Sequence, residues 1–408
     1  MKVLLPVFLL VALLAACDAP PDDDTPPTAV AAATLPGLPT VPEPTAAPAA
    51  SATTEAATGA PGATFPPDEG LGEPLPTTEA TAGPTVIATP DPETLPEDHP
   101  LYAHTLAGLR ARDFPGGEIE VRQLMAEGAA FNRYYISYPS DGLTITGIMQ
   151  VPHGEGPFPV AVLLHGYIDR HLYAAGADTW QAAGYLNQFG YLTIAPDYRS
   201  WGGSDADTSL FHMGLVADTL NLLSSLPSLP QADPEKVVLW GHSMGGGIAT
   251  KVLVLDDRPL AAVLYAPNSP DDADLIARWG PGCRPGVPLV TNSDCNPGDY
   301  LADAMPPALM EAYFAAAADP AFLRHVSPLY QLDDIGAPVQ IHIGTADGGE
   351  LNGTPPEWSD KLYTALLAAD REVSFYSYPG EGHAFERNAW AEMMARAVEL
   401  YDGVIGGQ

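Results

Sequence analysis

The stretch KVVLWGHSMGGG, residues 236–247, decides the fold of this chain. Its first five residues form an apolar, β-rich run typical of a buried strand, and the residues from Ile248 to Leu255 continue it with a helical pattern. Ser243 therefore lies on a sharp turn from strand to helix, where glycine neighbours avoid clashes in a strained backbone. A serine presented in this way is a candidate nucleophile, and the following helix directs the positive end of its dipole toward it.

The same glycines allow a second interpretation. The spacing of Gly241, Gly245 and Gly247 also fits the nucleotide-binding turn of short-chain dehydrogenases. That turn should follow the first strand of its domain and be accompanied by a Tyr-x-x-x-Lys pair. No tyrosine stands four residues before any lysine of this chain, so the sequence disfavours a dinucleotide site.

Short apolar runs alternate with helical stretches on both sides of residues 236–247. This alternation predicts one α/β domain over residues 99–408, with a mostly parallel central sheet and helices on both faces. The predicted strands end at Leu164, Ala195, Trp240, Ala266, Ile343 and Tyr378. The predicted helices are Thr179 to Phe189, Leu210 to Leu226, Glu357 to Ala368 and Ala384 to Tyr401.

Two departures from this rhythm are predicted. The β-rich runs Phe131 to Tyr138 and Leu143 to Val151 flank the turn Pro139-Ser140-Asp141-Gly142, which indicates an antiparallel hairpin at the start of the domain. Between Asn268 and Pro328 the alternation stops, and two helical pieces flank a loop rich in glycine, proline and cysteine. We expect this insertion, residues 268–328, to be a helical lid over the carboxyl ends of the strands, where open α/β sheets bind their ligands.

A serine nucleophile needs a base to remove its proton and an acid to orient that base. His383 lies between the last predicted strand and the last predicted helix, which makes it the candidate base. Asp347 follows the strand that ends at Ile343 and is the candidate acid. Asp271, Asp272 and Glu350 are alternative acids.

An oxyanion formed by attack on a carbonyl needs two converging backbone donors. We expect these donors to be the N–H groups of Met244, directly after the serine, and of Tyr167, in the loop after the strand that ends at Leu164. His165 and His242 are next to these positions and are interpreted as packing or hydrogen-bonding supports. The histidines form no ligand cluster and no His-Glu-x-x-His occurs, so the sequence predicts no metal and no cofactor.

The amino terminus has the pattern of an export signal. Lys2 is followed by an apolar run to Ala16 that is too short to span a bilayer as a helix. The sequence Leu14-Ala15-Ala16-Cys17 resembles the lipobox of bacterial lipoproteins. The resemblance implies that residues 1–17 are a signal peptide with its lipidation cysteine, Cys17, and that the protein is lipid-anchored to a bacterial membrane, facing the extracytoplasmic side. In an exported protein, Cys283 and Cys295 are candidates for a disulfide.

Residues 18–98 are rich in proline, threonine, alanine and acidic residues and contain no lysine or arginine. Such a segment cannot bury enough apolar surface to offset its conformational entropy, so we predict a disordered linker. The whole chain has a formal net charge of −34. This charge disfavours nucleic acid as a partner.

Together these residues resemble the prolyl oligopeptidase and dienelactone hydrolase branch of the α/β-hydrolases. The pieces that carry the resemblance include Leu164-His165-Gly166-Tyr167, Asp197-Tyr198-Arg199, the serine turn, Gly344-x-x-Asp347 and Gly382-His383. The resemblance implies an α/β-hydrolase fold, with the triad in the order Ser243, Asp347, His383. It differs in one respect, because no β-propeller stands in front of this domain.

The hypothesis that follows is a serine hydrolase that cleaves a small carboxylic ester through an acyl-enzyme. A serine peptidase acting on short peptides, either an aminopeptidase or an acylpeptide hydrolase, is the alternative with the same triad. An inactive hydrolase scaffold that serves as a surface binding protein is a third hypothesis, disfavoured because nucleophile, base, acid and oxyanion loop are all present.

Overall fold

The computed structural model describes residues 94–285 and 296–406. The predicted signal peptide, residues 1–17, and residues 18–93 of the predicted linker 18–98 lie outside these ranges. The strands within the described ranges are β1 (Glu120–Glu127), β2 (Phe131–Ser140), β3 (Leu143–Pro152), β4 (Phe158–Leu164), β5 (Leu192–Pro196), β6 (Ala232–His242), β7 (Pro259–Tyr265), β8 (Gly282–Cys283), β9 (Asn296–Tyr300), β10 (Val339–Gly344) and β11 (Val373–Tyr378).

The four predicted helices are present within a few residues of their predicted bounds, the last one extending to Gly406 instead of Tyr401, and the helix Leu106–Arg110 was not predicted. In the described ranges they are α1 (Leu106–Arg110), α2 (Trp180–Asn187), α3 (Met213–Ser225), α4 (Met244–Leu253), α5 (Asp272–Trp279), α6 (Pro307–Ala317), α7 (Pro320–Leu323), α8 (Pro356–Ala368) and α9 (Arg387–Gly406). Among these helices, none combines the length and the apolar character needed to cross a lipid bilayer.

One mixed sheet organises the described part of the chain. Its strand order is β1-β2-β3-β5-β4-β6-β7-β10-β11. The pairs from β1 to β5 are antiparallel, and all later neighbours, from β5–β4 to β10–β11, are parallel. The predicted mostly parallel sheet and its antiparallel start are therefore confirmed. Strands β8 and β9 form a separate parallel pair.

The parallel strands are buried because helices cover both of their faces. In β4, Val160, Val162 and Leu164 join one core cluster, together with residues of α3, α4 and α8. Ala161 and Leu163 join the second cluster, with residues of α2 and α9. Successive side chains of a strand point to opposite faces, so a continuous apolar run is what a sheet with two covered faces requires.

The predicted hairpin is β2 and β3, which pair from Phe131 with Pro152 to Ser140 with Leu143. Asp141 and Gly142 have φ values of 53° and 82°. Positive φ at both central residues is the geometry of a two-residue turn whose twist matches the flanking strands. Strand β1 was not predicted, because every one of its residues is exposed and no alternation of apolar residues marks it.

A buried charge cluster connects this hairpin to the rest of the domain. The Arg199 guanidinium donates to the Asp218 carboxylate at 2.8 and 3.1 Å and to Asp141 at 2.9 Å. Arg199 is 5% exposed and Asp218 is fully buried. The Ser140 hydroxyl also donates to Asp218, at 2.7 Å. The turn of the hairpin is thus held against α3 by charge-assisted hydrogen bonds in the interior.

We expect Asp218→Ala to lower the free energy of unfolding by about 3–5 kcal/mol, because it leaves the Arg199 charge buried without its main counterion. The measurement is urea-induced unfolding. Lys236→Ala is the control: its ion pair with Asp233 is 3.5 Å long and partly exposed, and such pairs contribute about 0–1 kcal/mol. Equal effects of the two substitutions would contradict this account of the cluster.

Candidate active site

Ser243 lies between the end of β6 and the start of α4, at the predicted turn. Its backbone has φ 55° and ψ −119°, a combination that residues with a side chain rarely adopt. The neighbouring backbone leaves no room for side chains: a Cβ on Gly241 would lie 2.4 Å from the Gly245 carbonyl oxygen, and one on Gly245 would lie 2.0 Å from that of Leu164. Glycines at these two positions are therefore a steric requirement of the turn.

His383 and Asp347 meet at the carboxyl ends of neighbouring strands. Asp347 follows β10, His383 follows β11, and His383 Nδ1 lies 2.8 Å from Asp347 Oδ2. The Asp347 side chain is 1% exposed, while that of His383 is 25% exposed. Asp347 Oδ1 also accepts the backbone N–H groups of Gly348 at 2.6 Å and of Thr354 at 3.1 Å. The carboxylate is thus held in place by two backbone donors as well as by the imidazole.

Two of the three alternative acids have other partners for their carboxylates. Asp272 accepts a hydrogen bond from Lys251 Nζ at 2.9 Å, and both side chains are buried. Asp271 caps the first turn of α5 through the Ala273 N–H. Glu350 is exposed, and the 2.6 Å hydrogen bond from Arg278 goes to its backbone carbonyl oxygen, not to its carboxylate. Of the four carboxylates considered from sequence, Asp347 is the one for which the described structure gives a hydrogen bond to His383.

Thr354 is a residue of this site that sequence reasoning missed. Its hydroxyl oxygen lies 3.0 Å from Asp347 Oδ2, 3.0 Å from the Ala266 carbonyl oxygen and 3.4 Å from His383 Nδ1. The residue is fully buried. A threonine in a loop ahead of Pro355 carries no recognisable motif, so no sequence signal pointed to it.

One cavity brings the predicted residues together. Its volume is about 110 Å³, and its lining includes Ser243, His383, Tyr167 and Met244. The loop before Tyr167 lies directly against the serine, since a Cβ on Gly166 would be 3.1 Å from Ser243 Cβ. The segment 268–328, predicted to be a lid, contributes Asn268, Trp279, Asn296, Pro297 and Gly298 to the same lining.

A second histidine and carboxylate pair lies beside the serine. His242 Nδ1 is 2.9 Å from Asp178 Oδ1, and His242 Nε2 is 3.1 Å from the His383 carbonyl oxygen. Asp178 Oδ2 accepts the Gly166 N–H at 2.7 Å. Burial alone would raise the pKa of Asp178, but His242 and the hydrogen bonds lower that pKa to about 2. Asp178 precedes α2 and stands in no motif, so the sequence did not reveal it.

His165 has a supporting role in the same region. Its ring nitrogens lie 2.7 Å from the Gly166 carbonyl oxygen and 3.3 Å from that of Asp197. The ring packs against Tyr173 and Tyr198, each at 4.6 Å between centroids. Burial lowers the pKa of His165. These contacts hold the loop that leads to Tyr167.

The structure describes one of the three cysteines, Cys283. Cys283 is buried and disulfide-bonded, while Cys17 and Cys295 lie outside the described residues, so the predicted pairing and lipidation stay predictions.

Within residues 94–285 and 296–406, no three histidine, cysteine or acidic side chains are grouped so that they could hold a metal ion.

Comparison with known proteins identifies the family of this arrangement. The model of the alpha/beta hydrolase family matches residues 161–397, which is more than half of the chain. The lysophosphatidylserine lipase ABHD12 of Danio rerio is 26% identical over 192 residues, 40% of this chain and 48% of that protein. The esterase FrsA of Shigella boydii is 30% identical over 128 residues, 30% of this chain and 28% of that protein. The chain thus spans less than half the length of these two curated relatives.

The fold agrees with a solved structure. Acetyl xylan esterase 1 from Thermoanaerobacterium sp. superposes with a TM-score of 0.51 at 20% identity, over 75% of this chain and 94% of that one. At this level of identity the similarity concerns the fold. The sheet order, the serine turn between strand and helix, and the family match over residues 161–397 lead to the same assignment. The chain belongs to the alpha/beta hydrolase family.

Proposed function

We propose that this protein is a serine hydrolase that cleaves a small carboxylic ester through an acyl-enzyme, with Ser243 as nucleophile, His383 as base and Asp347 as orienting acid. One observation carries the proposal: His383 is hydrogen-bonded to Asp347 at 2.8 Å and lines the same cavity as Ser243. The relatives named as a lipase and an esterase are consistent with it.

The proposed reaction has two halves, acylation and deacylation, and Ser243, His383 and Asp347 take part in both. Ser243 Oγ attacks the ester carbonyl carbon while His383 Nε2 takes the hydroxyl proton. The tetrahedral intermediate then expels the alcohol, which receives that proton from His383, and an acyl-serine remains. In the second half, water attacks the acyl-serine carbonyl carbon while His383 takes a proton from the water. The intermediate then expels Ser243 Oγ, which receives that proton, and the carboxylic acid is released. Asp347 keeps the proton on His383 Nδ1, so that Nε2 is free to act as the base.

The oxyanion is assigned to the backbone N–H groups of Tyr167 and Met244. Both residues line the cavity that contains Ser243. Met244 is the first residue of α4, so its N–H is one of the helix donors without a partner in the helix. The helix dipole adds favourable potential for a negative oxygen at this end.

The lining of the cavity favours an ester over a peptide with a free amino terminus. Among the described lining residues, Asp178 is the one carboxylate, and it is already occupied by His242 and by the Gly166 N–H. An aminopeptidase needs a free carboxylate for the substrate ammonium group, because a buried charge without a counterion is strongly disfavoured. A neutral acyl ester makes no such demand.

We expect Ser243→Ala to lower kcat/KM for 4-nitrophenyl acetate at least about 10³-fold and to abolish labelling by a fluorophosphonate. Ser359→Ala is the matched control, since Ser359 is likewise a buried serine but lies in α8. Aminoacyl and prolyl 4-nitroanilides, measured in parallel, test the peptidase alternative. Retained ester hydrolysis in Ser243→Ala would refute the nucleophile, and faster cleavage of the anilides would refute the ester preference.

Thr354→Val should lower kcat about 10- to 100-fold with little change in KM, because it removes a hydroxyl that fixes Asp347, and small displacements of catalytic groups have costs of this size. Thr219→Val is the control: its hydroxyl is equally buried and donates to the Leu215 carbonyl within α3. Steady-state kinetics at one pH give the answer. Equal loss in both variants would indicate a general packing defect.

We also propose that Cys17 carries lipid and anchors the enzyme to a bacterial membrane on its extracytoplasmic side. The support is the sequence Leu14-Ala15-Ala16-Cys17 after an apolar run. Stable anchoring requires more than one acyl chain, since a single chain binds membranes only marginally.

On expression of the full chain in a bacterium, we expect incorporation of an alkyne-labelled fatty acid and recovery in the membrane fraction. Cys17→Ala should lose the label and move to the soluble fraction. Cys283→Ala is the matched cysteine control and should keep the label. Labelling that persists in Cys17→Ala would show that another residue is acylated.

A further inference from the structure

We propose that Asp178 and His242 form an ion pair that holds the loop of Tyr167 and the loop of His383 in register, and that loss of the His242 charge limits activity at alkaline pH. Both are positioning residues, since they act through other groups. The inference rests on the proposed function for its kinetic readout, while the charge on His242 can be measured without any substrate.

The two partners of His242, one of them a carboxylate, favour a charged imidazole. His242 Nδ1 faces the Asp178 carboxylate at 2.9 Å, and His242 Nε2 faces the His383 backbone carbonyl at 3.1 Å. A carboxylate and a carbonyl only accept hydrogen bonds. Both contacts of His242 are satisfied together only if both ring nitrogens donate, which is the condition of the imidazolium. The pair is also well shielded, because His242 is 8% exposed.

The surrounding charges support this state. Burial lowers the pKa of His242, but the Asp178 charge and hydrogen bond outweigh burial, and that pKa is raised above its ordinary value. Asp347 acts in the same direction. The other titratable neighbours are Tyr265, stacked on His242 at 4.3 Å between centroids, and His383 at 4.8 Å. Burial raises the pKa of Tyr265, so it stays neutral over the range in which His242 titrates.

The pair connects three loops around the serine. Asp178 Oδ2 binds the N–H of Gly166, the residue before Tyr167, at 2.7 Å. His242 is the residue before Ser243, and its second hydrogen bond reaches the backbone of His383. One carboxylate and one imidazole thus link the proposed oxyanion donor, the nucleophile and the base.

The direction of the pH effect follows from which proton leaves. A group with a raised pKa keeps its contribution at low pH and loses it as the pH rises through that value. The Asp178 carboxylate retains the proton on Nδ1, so His242 loses the one on Nε2. A lone pair then faces the His383 carbonyl oxygen, and this link changes from attraction to repulsion.

The test compares pH profiles of kcat for the wild type, His242→Phe, Asp178→Asn and His153→Phe. His242→Phe keeps an aromatic ring on Tyr265 but removes both donors, so kcat should fall about 10- to 100-fold and the alkaline limb should disappear. His153 is exposed and serves as the matched histidine control. Its variant should keep the wild-type profile.

Asp178→Asn separates the charge from the hydrogen bonds. The amide oxygen can still accept the Gly166 N–H, and the amide N–H₂ can donate to His242 Nδ1. The neutral ring then keeps its proton on Nε2 and its bond to the His383 carbonyl. We expect a smaller loss of kcat than in His242→Phe and no alkaline limb. An unchanged alkaline limb in both variants would overturn the proposal.

A ¹⁵N NMR titration of the imidazoles in the wild type supplies the readout that is independent of activity. Two protonated nitrogens are expected for His242 at neutral pH, with a midpoint above the ordinary histidine value. The signals are assigned by their loss in His242→Phe or by their shift in Asp178→Asn, which preserves volume. A neutral His242 at neutral pH would overturn the ion pair. A charged His242 in a protein that hydrolyses no ester would instead refute only the proposed function.

Discussion

The strained backbone of Ser243 is the constraint on which the rest of the site depends. A residue with a side chain at φ 55° costs about 1–3 kcal/mol, and the surrounding packing must enforce it. Here the last six residues of β6 and all of α4 are buried and fix the two ends of the turn, and Gly241 and Gly245 allow the backbones to approach. Ser243 thereby lines the cavity instead of packing in the core.

The parallel sheet explains why residues so distant in sequence meet there. The turn of Ser243 follows β6, the loop of Tyr167 follows β4, Asp347 follows β10 and His383 follows β11. These strands run in the same direction, so their carboxyl ends share one edge of the sheet. The buried cores on both faces keep that edge rigid, which is what a site built from separate loops requires.

Sequence reasoning succeeded where a residue is tied to a strand end and failed where it is tied to another side chain. The continuous apolar runs predicted the buried strands, and the positions after them predicted Ser243, Asp347 and His383 as candidates that the structure brings to one region. Strand β1 was not predicted because an exposed edge strand has no periodic pattern of apolar residues. Thr354 and Asp178 were missed because no local pattern marks their hydrogen bonds: Thr354 contacts Asp347 from a loop, and Asp178 contacts His242, which lies 64 residues later.

The two histidines of the site show why a residue that sequence reasoning missed, Asp178, matters. Their rings lie 4.8 Å apart, yet their partners differ in kind. His383 contacts a carboxylate through Nδ1 and lines the cavity, whereas His242 has an acceptor at each nitrogen. A base must have a nitrogen without a proton, while the two contacts of His242 are satisfied together only when both of its nitrogens carry protons. The division of roles between neighbouring imidazoles is therefore set by Asp178 and by one backbone carbonyl, neither of which belongs to the motif around Ser243.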